Sequence, residues 1–180
     1  MQRQSDNVKP KLIRRKGIFD GKYGFAEDTV AINGRELKFQ YLDHPGSAGI
    51  VAVHDGKILL VKQYRYVVDD TNYEIPCGTL EKDETPEAAA RRELEEEAGY
   101  KAEKFTKLGT VYPSSGNSNE ICTIFFASRL KKGVQKLDDD EFIVTELVDI
   151  EKIGRLIRNG IIKDAIVISA IALAKEKGLL

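Results

Sequence analysis

The sequence predicts an α+β fold, a mixed sheet lying between helices and preceded by a small antiparallel β unit. Three observations lead there. Alternating strand patterns fill much of residues 11–75 and return between 107 and 149, while helical patterns occupy 85–98, 150–159 and 164–177. The order is therefore strands, helix, strands, helices, which suits a mixed sheet covered on both faces better than a doubly wound parallel one. A length of 180 residues with 42% hydrophobic content suits one main domain with a small appendage.

Residues 1–10 are polar. LIRRKGIF, YGFAEDTVAI and ELKFQYL then alternate, and Asn33-Gly34 between the last two marks a hairpin, because both positions tolerate positive φ. His44-Pro45-Gly46 punctuates the end of this region, so residues 1–45 read as the antiparallel unit and 46–180 as the main domain. Ser47–Val53 and Lys57–Tyr64 read as strands about a His54-Asp55-Gly56 turn, and Asn72–Ile75 as a short strand entering Pro76-Cys77-Gly78. Lys107–Tyr112, Ile121–Ser128 and Phe142–Asp149 are the later strands, separated by loops at Pro113–Glu120 and Lys131–Glu141. Helices at Ile150–Asn159 and Asp164–Lys177 follow.

Charged residues make up 32% of the chain but the net charge is only -1, so no global field favours nucleic acid or an anionic membrane. The N-terminus carries basic residues with no apolar run behind them, unlike a secretory signal. The longest apolar stretch, Ala165–Ala174, is too short to span a bilayer. Cys77 and Cys122 form no Cys-x-x-Cys motif, which suggests free thiols in a reducing, cytoplasmic setting.

Chemistry concentrates in Gly78–Tyr100, GTLEKDETPEAAARRELEEEAGY. Thr85 suits an N-cap, Pro86 the first helical position, Glu87 the positive end of the helix dipole and Gly99 the stop. At 100° per residue, Glu93, Glu96 and Glu97 share one stripe, while Ala90, Leu94 and Ala98 lie on a neighbouring face able to pack on a sheet. Like charges three and four residues apart destabilise a bare helix. A hard divalent cation reverses that effect, and Mg2+ takes oxygen ligands. Arg92 stands one turn before Glu96 and can orient it. Most charge runs are solvated surface, but the glycine loop, Glu84 and the two caps point here to a metal and an anionic substrate.

The segment resembles the Nudix box: Gly, five residues, Glu, seven residues, then Arg-Glu-aliphatic-x-Glu-Glu-x-Gly-aliphatic. Gly78, Glu84, Arg92, Glu93, Leu94, Glu96, Glu97 and Gly99 match in register, and Tyr100 stands where an aliphatic residue is usual. The resemblance implies a Nudix-like α/β/α sandwich that hydrolyses a nucleoside diphosphate linked to another moiety. It implies Mg2+, with Mn2+ a possible substitute, held by Glu93, Glu97, Glu96 and the backbone carbonyl of Cys77, with Arg92 and Glu96 in the catalytic set.

HPGSAGIVAV, VKQYRY, YEIPCG, YPSSGNSNE and LDDDEFIVTELVDIEK extend the resemblance to the ADP-ribose pyrophosphatase branch. In that branch a proline beyond the box, here Pro113, precedes a loop whose acidic residue, here Glu120, lies near the substrate. Arg65 matches an arginine on the diphosphate, a role that suits a forked guanidinium, and Gly78 is a further expected substrate contact. The acidic loop Asp138–Glu141 is the expected source of the general base: Glu141 aligns with a metal-binding position and Asp139 with the base, and the two remain in competition. Branch members are commonly homodimers whose N-terminal strands complete the partner's site. Phe19, Tyr23, Phe25 and Phe39 offer an adenine-stacking face, Phe25 foremost, or ordinary sheet core.

The expected activity is therefore Mg2+-dependent hydrolysis of ADP-ribose to AMP and ribose 5-phosphate. Another nucleotide sugar such as GDP-mannose is the alternative within the enzyme class. A non-catalytic ADP-ribose-binding regulator is a different class, disfavoured by the intact carboxylates. Nucleic-acid binding through Arg3, Lys9, Lys11, Arg14, Arg15 and Lys16 is a third, disfavoured because no aromatics are interleaved among those charges.

Overall fold

A computed structural model describes residues 10–19, 21, 23–138 and 141–180. The chain divides into two compact units: a first running to His44 and joined by Ser114–Glu120, and a second of Pro45–Pro113 and Ile121–Leu180.

The first unit is a three-stranded antiparallel sheet of β1 (Lys11–Phe19), β2 (Gly24–Ile32) and β3 (Arg35–Asp43), in that order. Asn33 (φ 49) and Gly34 (φ 77) close the β2–β3 hairpin, the left-handed pair that the Asn-Gly signal anticipates. Asp28 binds the sheet across its width. It accepts both arms of the Arg15 fork at 2.9 Å and the Tyr41 hydroxyl at 3.1 Å. Loop 114–120 joins this unit because Leu42 N–H donates to Asn117 O at 2.8 Å and Asn119 N–H donates back to Leu42 O at 3.3 Å.

The second unit holds a seven-stranded mixed sheet. Its strands are β4 (Ser47–His54), β5 (Lys57–Arg65), β6 (Asp70–Glu74), β7 (Cys77–Thr79), β8 (Tyr100–Val111), β9 (Cys122–Lys132) and β10 (Ile143–Asp149). The path is β10-β5-β4-β9-β8, with β6 on β5 and β7 on β4. Strands β4 and β9 pair in parallel, and the other pairs among the described residues of this sheet are antiparallel. Helix α1 (Pro86–Ala98) covers one face, and α2 (Ile150–Arg158) and α3 (Ala165–Glu176) the other. The α/β/α sandwich expected from the sequence is therefore present.

The period of two splits β5 between the faces. Ile58 and Leu60 pack with Val167 and Ile171 of α3, whereas Leu59 and Val61 pack with Ala90 and Leu94 of α1. Strand β4 is buried on both sides, hence its unbroken run SAGIVAV. Each fully buried Leu or Ile contributes on the order of 1.5–3 kcal/mol.

Three expectations change. The strand placed at Asn72–Ile75 lies at Asp70–Glu74, because Ile75 turns into the core as the chain bends toward Pro76. The strand placed at Lys107–Tyr112 begins at Tyr100, directly after Gly99, because its polar half pairs with the end of β9 in the register Tyr100↔Lys132. The same pairing carries β9 to Lys132, into the expected loop.

Candidate active site

Helix α1 starts and stops where its sequence directs. Thr85 accepts from Ala88 N–H at 3.3 Å, Pro86 opens the helix, and Gly99 (φ 69) returns its N–H to Glu95 O at 2.9 Å. The stripe of carboxylates is not uniformly open. Glu93 and Glu97 are buried together with Ala90 and Leu94 of the neighbouring face, whereas Glu96 is half-buried. The exposures of Glu93 and Glu97 are 7% and 4%. A spacing of four places them in line, and the sheet edge beneath offers polar rather than apolar partners.

Those partners are specific. Glu97 Oε2 accepts from Cys77 N–H at 2.8 Å. Glu93 lies over Gly78, where an added Cβ would fall 1.8 Å from Oε1 and 2.0 Å from Cδ. Gly78 is thus required by space and not by its backbone conformation. Arg92 ties the cluster together with all of the five N–H donors a guanidinium possesses. Nε and Nη2 reach Glu84 at 3.0 and 2.9 Å, Nη1 reaches Glu93 at 2.6 Å and Glu96 at 3.0 Å, and Nη2 also reaches the Thr79 carbonyl at 3.1 Å. Glu95 turns away and pairs with Lys101 at 3.1 Å.

The segment after β9 is fastened to the end of α1. Gly133 N–H donates to Gly99 O at 2.8 Å, Lys136 N–H to Glu96 O at 2.9 Å and the Gln135 amide to Glu97 O at 2.7 Å. These bonds satisfy carbonyls that a helix end leaves open, and they lead the chain to Glu141. Glu141 Oε2 accepts from Asp138 N–H at 3.1 Å. Asp139 and Asp140 lie outside the described residues.

Electrostatics reflect this crowding. Burial pushes the Glu97 carboxyl well up; the Cys77 N–H opposes, and Glu93, Glu141 and Glu74 push further. Burial likewise raises Glu93, against Arg92 and with Glu96 and Glu141. Arg92 holds Glu84 low. A site that resists ionisation of its own carboxylates favours an added cation. The donor set of three carboxylates and the Cys77 carbonyl is hard oxygen throughout, so these residues fit Mg2+. In this arrangement Arg92 draws Glu93 and Glu96 to itself, and among the described residues no three acidic, histidine or cysteine side chains converge at metal-binding distance.

Arg65 has a carboxylate partner that the sequence reading missed. Its Nε and Nη2 grip Glu74 at 2.8 and 2.5 Å. Glu74 is buried, and its strand register opposite Val61 turns it to the α1 side of the sheet. The available signal was period: Val61, Gln63 and Arg65 share one face of β5, so β6 must present a match there. Asp164 caps α3 by accepting from Val167 N–H at 2.9 Å, and burial raises its carboxyl.

In the first unit, Phe25 lines a cavity of about 380 Å³ with Arg15, Phe19 and Asp43. Tyr23 stacks on His44, ring centres 4.7 Å apart, and Phe39 stands half exposed on β3. Glu120 closes loop 114–120, its N–H donating to Ser118 Oγ at 3.0 Å.

A mixed sheet between helices, with a capped carboxylate helix packed on one face, defines the class. The chain belongs to the NUDIX family, whose domain model matches residues 43–169. It is 41% identical over 164 residues to the ADP-ribose pyrophosphatase of Bacillus subtilis (strain 168), covering 88% of this chain and 89% of that protein. It is 37% identical over 138 residues to the methanol dehydrogenase activator of Bacillus methanolicus, covering 74% and 75%. It is 30% identical over 190 residues to a GDP-mannose pyrophosphatase of Yersinia enterocolitica serotype O:8 / biotype 1B (strain NCTC 13174 / 8081), covering 97% of each. A crystal structure of an ADP compounds hydrolase superposes with a TM-score of 0.80 over 96% of this chain and 97% of its own at 18% identity, a likeness of fold.

Proposed function

We propose that this Nudix hydrolase cleaves the diphosphate of ADP-ribose, giving AMP and ribose 5-phosphate, with Mg2+ as its metal. The observation that carries the reading is the pair of buried carboxylates, Glu93 and Glu97, raised by burial and held in place by Gly78, Cys77 N–H and Arg92. A structural helix gains nothing from burying two such groups. The relative in Bacillus subtilis, matched over most of both chains, supports the choice of ADP-ribose.

Glu93, Glu96, Glu97 and the Cys77 carbonyl would hold the metal, which when bound supplies charge neutralisation for the diphosphate and a more acidic water. Arg92 neutralises and orients Glu93 and Glu96. Arg65 supplies a fixed positive charge for the phosphate oxygens, oriented by Glu74. Glu141 or Asp139 takes the proton from the attacking water, which ends on a carboxylate in a site already crowded with negative charge. Glu120 and Phe25 contact the substrate. A homodimer built through the N-terminal strands and a cytoplasmic location complete the proposal; no helix among the described residues is long and apolar enough to cross a membrane.

The GDP-mannose pyrophosphatase relative, matched end to end, gives the second reading its weight. A panel of nucleotide sugars assayed with Mg2+ and with Mn2+ separates them. The highest kcat/KM is expected for ADP-ribose. A preference for GDP-mannose selects the alternative, and inertness toward the whole panel sinks both.

A further inference from the structure

We propose that Asn119 is a positioning residue that clamps the loop bearing Glu120 onto the end of β3; the inference rests on the nucleotide-sugar hydrolase reading above. Loop 114–120 is made of the turn formers Ser, Gly and Asn apart from Glu120. Its turn is closed locally by Asn117 N–H and Ser118 N–H, both donating to Ser114 O at 2.9 Å. Asn119 ties its exit to the end of β3 through its side chain. The Asn119 carboxamide donates from Nδ2 to Asp43 Oδ1 at 2.6 Å and accepts at Oδ1 from His44 N–H at 2.7 Å.

Only an amide of this length does both at once. A carboxylate lacks the donor, a hydroxyl is too short, and glutamine reaches too far. Backbone bonds at Leu42 and the Ser118 hydroxyl, which donates to Leu42 O at 3.2 Å, complete the seam. The far side is anchored as well: His44 stacks on Tyr23, and Asp43 also lines the cavity beside Phe25. Glu120 is the next residue in the chain, so its backbone direction is set where Asn119 is held. The clamp explains why the loop groups with the first unit. On the reading above, it makes Asn119 a determinant of substrate affinity through Glu120.

The test reads both kinetics and amide hydrogen exchange over 114–120. Asn119→Ala should raise KM for the substrate about tenfold, leave kcat within about twofold, and speed exchange across the loop. Asn119→Asp, which sets two carboxylates face to face, should do the same. The exchange of roles in Asn119→Asp/Asp43→Asn restores both bonds, because the amide introduced at 43 donates to the carboxylate introduced at 119, which still accepts from His44 N–H. KM should then return to within about twofold of the parent, with exchange protection regained. Parent KM in Asn119→Ala overturns the positioning role, whether or not exchange changes. So does a folded double variant that recovers neither readout. A parent enzyme inert toward every nucleotide sugar overturns the underlying reading instead, and this is seen before any variant is made.

Discussion

Gly78→Ala isolates one atom of the site. The added Cβ would fall 1.8 Å from Glu93 Oε1, 2.0 Å from Cδ and 2.4 Å from Oε2. Carbon atoms in contact prefer about 3.5 Å or more, so the carboxylate must retreat by about 1.5 Å. It has little room, being 7% exposed and held by Arg92 at 2.6 Å. Overpacking of this kind costs about 1–3 kcal/mol. Misplacing a reactive group by about 1 Å costs about 100-fold in turnover. The assay is kcat for ADP-ribose at saturating Mg2+, with Tm on the same samples. A second substitution makes the logic specific. Glu93→Asp withdraws the carboxylate by one methylene, so Gly78→Ala/Glu93→Asp should regain stability relative to Gly78→Ala while staying slow. Parent kcat and parent Tm in Gly78→Ala would refute the claim that this glycine exists to admit Glu93.

Three further outcomes follow from the same geometry. Because burial raises Glu97, the folded chain keeps that proton at pH values where the unfolded chain has lost it; metal-free stability therefore falls as pH rises from the ordinary carboxylate range toward neutrality. Glu97→Gln should flatten this slope in Tm against pH, raise metal-free Tm at neutral pH by at least roughly 2 °C, and cut turnover at least about 100-fold. Arg92→Lys keeps the charge but cannot serve Glu84, Glu93, Glu96 and the Thr79 carbonyl together, so calorimetry should register a loss of about 2 kcal/mol or more, with a fall in kcat. Gly154 lies inside α2, where an added Cβ meets only Arg158 Nη1 at 3.5 Å; Gly154→Ala should raise stability by about 0.5–1 kcal/mol and leave kinetics unchanged.

Local chemistry made part of this molecule legible. Thr85, Pro86 and Gly99 fix α1 from within its own sequence, and Asn33-Gly34 and Asp55-Gly56 close hairpins in the left-handed conformations such pairs favour. Arg92 lies one turn from Glu96, so their bond was foreseeable. Long-range partners were not. The three-residue strand Cys77–Thr79 exists because it pairs with Ser47–Gly49, and nothing in Cys-Gly-Thr announces that. The grip of Glu74 on Arg65 requires β6 to fold back on β5. The docking of loop 114–120 on β3 joins residues more than seventy positions apart, as in the Asn119–Asp43 bond. The helical wheel set Glu93 and Glu97 beside the apolar face but could not give the depth of their burial, for a related reason. A wheel gives the angle of a side chain and not the polarity of the sheet edge beneath it, where Cys77 N–H and Gly78 wait.

Metal-assisted cleavage of a nucleoside diphosphate sugar by these buried carboxylates is tested by ADP-ribose turnover of the parent enzyme in Mg2+ and again after chelation, with products resolved by chromatography. AMP and ribose 5-phosphate in equal amounts with Mg2+, and neither after chelation, is the result predicted. Equal turnover in chelator, or no cleavage of ADP-ribose with Mg2+ present, would contradict it.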